Sequence, residues 1–100
     1  MKVHLSARAR RDADVIDRIW RQYAKWDPKK FVKELKAVRT RLKYAPKLGK
    51  IHSIVDGQII RQTPLLESQC IVYYVESEDL VDIITIWNGR QGTPPTFSDE

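Results

Sequence analysis

A chain of 100 residues with 42% apolar content has the length of one domain and the side chains for one modest core. No apolar run approaches the roughly 18 residues of a membrane span. The basic start MKVHLSARARR has no apolar signal core, and the single cysteine, Cys70, excludes an internal disulfide and a cysteine zinc cluster. A cytoplasmic protein without membrane contact is therefore expected. The charge is very uneven: residues 1–50 hold 16 Lys/Arg against 5 Asp/Glu, net +11, whereas residues 51–100 hold only Arg61 and Arg90 against 8 acids, net −6. The first half suits an acidic partner or a phosphate backbone.

Lys2-Val3-His4-Leu5 alternates polar and apolar, as a short opening strand does, and Ser6 is placed to cap a helix. Ala9, Ala13, Ile16, Ile19, Trp20, Tyr23 and Ala24 then recur at three and four, which predicts one helical face. Asp27-Pro28 reads as a stop and restart, with Asp27 as N-cap and Pro28 at the first helical position. The second helix aligns Phe31, Leu35, Val38 and Leu42. A link this short predicts an antiparallel helical hairpin.

Ala45-Pro46-Lys47-Leu48-Gly49-Lys50 breaks the helix, and the apolar period then changes from 3.6 to 2. The stretch IHSIVDG reads either as a short strand or as an extended loop. Gln58–Leu65, Cys70–Glu76 and Leu80–Trp87 are the stronger strands, joined by tight turns into a three-strand antiparallel meander. In VDIITIW, strict alternation puts Val81, Ile83 and Trp87 on one face and Ile84 and Ile86 on the other. Apolar residues on both faces predict a central strand. Tyr73 and Tyr74 point to opposite faces, so one is expected in the core and one exposed. The expected architecture is a two-layer α+β domain over 1–100: strand 1–6, helical hairpin 7–44 on one face of an antiparallel sheet 51–88, irregular tail 89–100. The second sheet face stays partly open.

No phosphate-binding glycine loop, nucleophile elbow or paired-carboxylate pattern occurs, and His4 and His52 lack metal-ligand spacing, so no cofactor and no metal are expected. The remaining groups are cationic. Arg61 lies mid-strand, as a salt-bridge partner of Asp82 or Glu76 or as a contact residue; Arg90 follows the last strand; Lys47, Lys50 and His52 precede the sheet. Converging on the open face, these five would make a metal-free ribonuclease, with cations stabilising a pentavalent phosphorane and His or Tyr moving protons. The same residues also suit a binding surface.

Three stretches carry a resemblance. SARARRDADVIDRIW, LKYAPKLGK with its P-x-L-G turn, and CIVYYVESEDLVDIITIWNGRQ, in order and over nearly the whole chain, resemble the RelE/ParE superfamily of bacterial type II toxins, also labelled plasmid stabilisation proteins. The resemblance implies a growth-inhibiting toxin silenced by a cognate acidic, partly disordered antitoxin in a heterocomplex. RelE-like members cleave mRNA on the ribosome, and ParE-like members poison DNA gyrase. The arginine that nuclease members place before the middle strand is absent at Gln69-Cys70-Ile71, and the tail ends GTPPTF without their catalytic Tyr or His. Asn88 stands where His often precedes Gly-Arg, and IIRQTP matches the ParE-like strand. The ParE-like branch is thus favoured, with no catalytic residue, and the resemblance makes Arg61, Trp87, Asn88, Arg90 and Gln91 the contacts for target or antitoxin. The alternative is the nuclease using Lys47, Lys50, His52, Arg61 and Arg90.

Overall fold

The computed structural model describes residues 1–90 and 92–97. The elements run β1 (Lys2–Leu5), α1 (Ala7–Tyr23), α2 (Lys30–Tyr44), β2 (Lys50–Val55), β3 (Gln58–Leu65), β4 (Cys70–Glu76) and β5 (Leu80–Asn88). They form one five-stranded sheet in the order β1-β5-β4-β3-β2. The meander has four strands rather than three, because the IHSIVDG segment is β2 and pairs with β3. β1 lies parallel to β5, with Lys2 opposite Leu80 and Leu5 opposite Ile83. β5 is therefore hydrogen-bonded on both sides, as its two apolar faces predict, and the architecture is the expected α+β sandwich of two layers.

The start of α1 grips β5. Ser6 accepts the Ala9 N–H at 3.0 Å as an N-cap, while its own hydroxyl donates to the Ile84 carbonyl at 2.8 Å and its N–H to the Ile83 carbonyl. One turn on, the Asp12 carboxylate accepts from the Thr85 hydroxyl at 2.6 Å and from the Ile86 N–H at 3.0 Å. These contacts flank a bulge: Tyr74 lies opposite Ile83 and Tyr73 opposite Thr85, so Ile84 has no rung of its own. The extra residue overturns the strict alternation expected for VDIITIW. Ile86 joins Val81 and Ile83 in the core under the helices, whereas Trp87, opposite Ile71, turns to the other face.

The helical hairpin forms as expected, but its link differs. α2 begins at Lys30, and Asp27 does not cap it. Asp27-Pro28-Lys29-Lys30 is instead a β-turn in which the Lys30 N–H donates to the Asp27 carbonyl, with Pro28 in the second position that suits its fixed φ. Phe31, Leu35, Val38 and Leu42 are buried on the predicted stripe, packed with Ile16, Val72, Tyr74, Val81, Ile83 and Ile86.

Tyr73 and Tyr74 do point to opposite faces, yet neither is exposed. Tyr74 lies in the helix-covered core, and Tyr73 is only 2% exposed because His52 and Phe97 cover it on the far face. The three rings meet with centroids 5.1–5.5 Å apart. The tail is irregular, as expected, but it folds back over a sheet face that the sequence pattern leaves open.

At the opposite end of the helices, the Glu34 carboxylate holds the β3–β4 turn. It accepts the Glu67 N–H at 3.0 Å, the Ser68 N–H at 2.6 Å and the Ser68 hydroxyl. Replacing Glu34 with Ala should lower unfolding stability by about 1–3 kcal/mol, because two backbone donors lose a charged acceptor. Urea denaturation of Glu34→Ala beside Glu34→Gln, which keeps one acceptor oxygen and loses less, measures this.

Candidate functional site

The residues singled out from sequence occupy three separate places. Lys50 and His52 lie at the start of β2. Lys50 borders a groove of about 320 Å³ with Leu48, Gly49, Gln62, Thr63, Pro64 and Ile71, and His52 stacks edge-on to Tyr73 and Phe97 on the face away from the helices. Lys47 is exposed in the preceding turn.

Arg61 belongs to the other face. Its register partner is Tyr74, a core residue under the helices. The guanidinium makes no salt bridge to Asp82 or Glu76; it donates to the Gly49 carbonyl at 2.9 Å, and the Gly49 N–H donates to the Tyr74 hydroxyl at 2.8 Å. Gly49 itself sits where a Cβ would lie 2.6 Å from the Gln62 carbonyl oxygen and 2.9 Å from the Tyr74 hydroxyl. The Pro-x-Leu-Gly turn is thus clamped onto the sheet by both side chains, and only glycine fits the contact.

Arg90 is elsewhere again. Arg61 stands level with Tyr74 and Ile83, whereas Asn88 is four rungs further along β5, roughly 13 Å at strand spacing, and Arg90 lies beyond it. Arg61 and Arg90 do not share a surface, and the five residues of the nuclease arrangement are not brought together. Gln91 lies outside the described residues.

At the Asn88 end the chain builds a cleft that the sequence pattern did not announce. Ile19, Trp20 and Tyr23 from the last turns of α1, and Trp26 from the interhelical link, face Ser68, Asn88 and Arg90 around a space of about 60 Å³. Asn88 is 8% exposed, and its side-chain oxygen accepts the Arg90 N–H, which fixes the turn that presents Arg90. Tyr23 is 66% exposed and Trp26 80% exposed. Tyr23 fits the apolar spacing of α1 but stands on a last turn that overruns the core. Trp26 sits in the link, and its one sequence signal is a large aromatic immediately before a turn-forming Asp-Pro.

A second feature runs along the free edge of β1. Two adjoining hollows of about 490 and 450 Å³ share Lys2, Val3 and Arg39. Lys36 and Lys43 line the first and Arg10 the second, so the trough between β1 and α2 is walled by cations. Five of the 16 Lys/Arg of the first half line this trough.

Three buried groups in the sheet, Cys70, Tyr73 and Tyr74, resist ionisation. Burial pushes the Cys70 thiol up to about 12, with the Glu34 carboxylate adding to the shift and Arg90 opposing it. Burial likewise raises Tyr73 and Tyr74 above the ordinary phenol range. At neutral pH these groups are protonated. His4 Nδ1 donates to the Asp82 carboxylate at 2.9 Å in an exposed pair on the β1–β5 ladder. Among the described residues no group of three or more His, Cys, Asp or Glu is placed to hold a metal ion, and no helix is long and apolar enough to cross a membrane.

No protein-family model matches the chain, and no curated protein matches it in sequence. Its fold does match a solved chain of the chromosomal ParDE TA system from P. aeruginosa, with a TM-score of 0.62 and 17% identity, covering 88% of this chain and 95% of that one. The chain therefore shares its α+β fold with that chain.

Two measurements test the reading of the site. Tyr74→Phe and Arg61→Ala should each lower stability by about 1–2 kcal/mol, since each removes one arm of the clamp on Gly49, while Arg90→Ala stays within about 0.5 kcal/mol. Chemical denaturation of the three variants ranks them. Cys70 gives a pH signature. Its folded pKa lies above its unfolded value, so its contribution is intact below about pH 9 and is lost as pH rises towards 12. The buried tyrosines act in the same direction. Stability should fall over this range by up to about 1.4 kcal/mol per pH unit for one such group, and Cys70→Ala should make the decline shallower.

Proposed function

We propose that this protein is the toxin of a bacterial type II toxin–antitoxin pair, that a cognate acidic antitoxin neutralises it, and that its target is DNA gyrase. The observation that carries the reading is the match of fold over almost the whole chain to a ParDE toxin–antitoxin system. The cation-walled trough supports the antitoxin partner. Lys2, Lys36, Arg39 and Lys43 flank the edge of β1, where Arg10 Nε already holds the outward Leu5 carbonyl at 3.2 Å, so an acidic segment laid alongside Val3 gains charge complementarity and main-chain hydrogen bonds there.

Three features favour a binding toxin over a ribosome-dependent mRNA nuclease. Arg61 is engaged by the Gly49 carbonyl, Arg90 lies on another surface, and the buried phenols are held protonated. Acid–base catalysis needs a group that exchanges its proton near the working pH and cations gathered on one phosphate. On this reading Trp87, Asn88, Arg90 and Gln91, at the end of the central strand, are contacts for target or antitoxin. Arg61 shapes the neighbouring turn.

Expression of the chain without its partner should arrest growth with a DNA-damage response, and the purified protein should inhibit supercoiling by gyrase while ribosome-bound mRNA stays intact. Co-expression of an acidic protein encoded beside it should restore growth. Codon-specific cleavage of ribosome-bound mRNA would replace this reading with the nuclease.

A further inference from the structure

The cleft at the tip of the helical hairpin borders the core through Trp20 and the Glu34-held turn through Ser68, and its exposed rim takes part in neither. Three properties define what it accepts. The first is size: the space between these side chains is about 60 Å³, well below the roughly 150 Å³ of a cavity that holds benzene, and it suits a small group such as the branched end of one aliphatic side chain. The second is the rim. Trp26 and Tyr23 stand largely exposed beside the opening, and Leu66, in the same β3–β4 turn as Ser68, is 79% exposed. Large aromatics around a small apolar recess, with an arginine at the edge, form the composition that dominates protein–protein hot spots.

The third property is charge. Arg90 at the cleft and Lys25 and Lys29 in the interhelical link take no part in an ion pair among the described residues; Arg21 and Lys30 do, with Asp17, and with Asp27 and Glu67. The free charge around the opening is therefore positive.

We infer that this cleft is a docking site for a protein segment that places one aliphatic side chain between Trp20, Tyr23 and Trp26 and sets a carboxylate against Arg90. The site lies at the Asn88 end of the sheet, and the trough is lined by residues such as Lys2, Val3 and Lys43, towards the opposite end of β5. Both can be filled at once, so the inference goes beyond the antitoxin reading and stands or falls separately from it.

The test uses the full chain labelled with ¹⁵N and follows the indole N–H signals of its three tryptophans. Trp20 and Trp26 report on the cleft, and Trp87, on the other side of the sheet, is the internal control. The probe is a capped hexapeptide of two leucines flanked by glutamates. It should move the Trp20 and Trp26 signals saturably and leave Trp87 in place, with an affinity that weakens as salt is added. Trp26→Ala should abolish saturation at Trp20, and Arg90→Glu should weaken binding at least tenfold; both side chains are exposed, so neither change threatens folding. A counterpart with alanines for leucines should not bind. No saturable shift at millimolar peptide overturns the inference, as does equal binding when lysines replace the glutamates. A thymidine oligonucleotide that moves the signals in place of the peptide makes the surface one for nucleic acid, and shifts that depend on protein concentration alone make it a self-association face; either outcome also overturns it.

Discussion

The first two turns of α1 hold a bulge in β5, and the placement of every residue beyond that bulge depends on it. Ser6 ties the carbonyls of Ile83 and Ile84, and Asp12 takes the Thr85 hydroxyl and the Ile86 N–H. A bulge leaves one residue outside the ladder and shifts the alternation after it by one. Had β5 run straight, Trp87 would face the helices with Val81 and Ile83, and Ile86 and Asn88 would face away. With the bulge, Ile86 fills the core, and Asn88 points into the space beside Trp20, where its oxygen organises the Gly89-Arg90 turn. The same two helical turns that start the hairpin thus decide which side chains the end of the central strand presents.

Clamping recurs at two of the loops, each time through a side chain distant in sequence. Tyr74 and Arg61 hold Gly49, and Glu34 holds the turn at Ser68. A loop held by its own backbone groups is positioned by local chemistry, while one held by a strand or helix residue moves only with the scaffold. Surfaces carried on such loops are pre-organised, which lowers the entropic cost of binding a partner.

This pattern also explains what could be read without coordinates. The two helices, the Phe31–Leu42 stripe, the central position of β5 and the α+β class were all legible, because each rests on periodicity within one segment. The bulge was not legible. It depends on Ser6 and Asp12, more than 70 residues from their partners, and its local sign, Asp82 and Thr85 three apart around adjacent Ile83 and Ile84, reads equally as a strand with two apolar faces. Arg61 was recognised as out of place in a strand, but a carbonyl partner leaves no mark in composition, whereas a carboxylate partner is easily proposed. Asp27-Pro28 fits a cap-and-start signature and a β-turn equally well, and the link's need to reverse direction decided for the turn. Cations and the strand end supply the candidate residues and leave out Tyr23, whose helical spacing reads as core until the helix outruns it, and Trp26, which stands in the link without any periodic signal.

The charge asymmetry takes on meaning once the two surfaces are separated. The trough beside β1 is cationic along its length and offers a strand edge at Val3, features that draw an acidic chain from a distance and hold it by main-chain bonds that are indifferent to side-chain identity. The cleft is small and rimmed by aromatics with one arginine at its edge, a geometry that contributes little to steering and more to discrimination, because a narrow recess favours a small apolar group and a single charge disfavours the wrong sign. Screening over about 8 Å at physiological ionic strength keeps the two fields largely independent, since they sit towards opposite ends of β5. Capture and selectivity are therefore divided between two ends of one small sheet, and the bulge in β5 gives the selective end its shape.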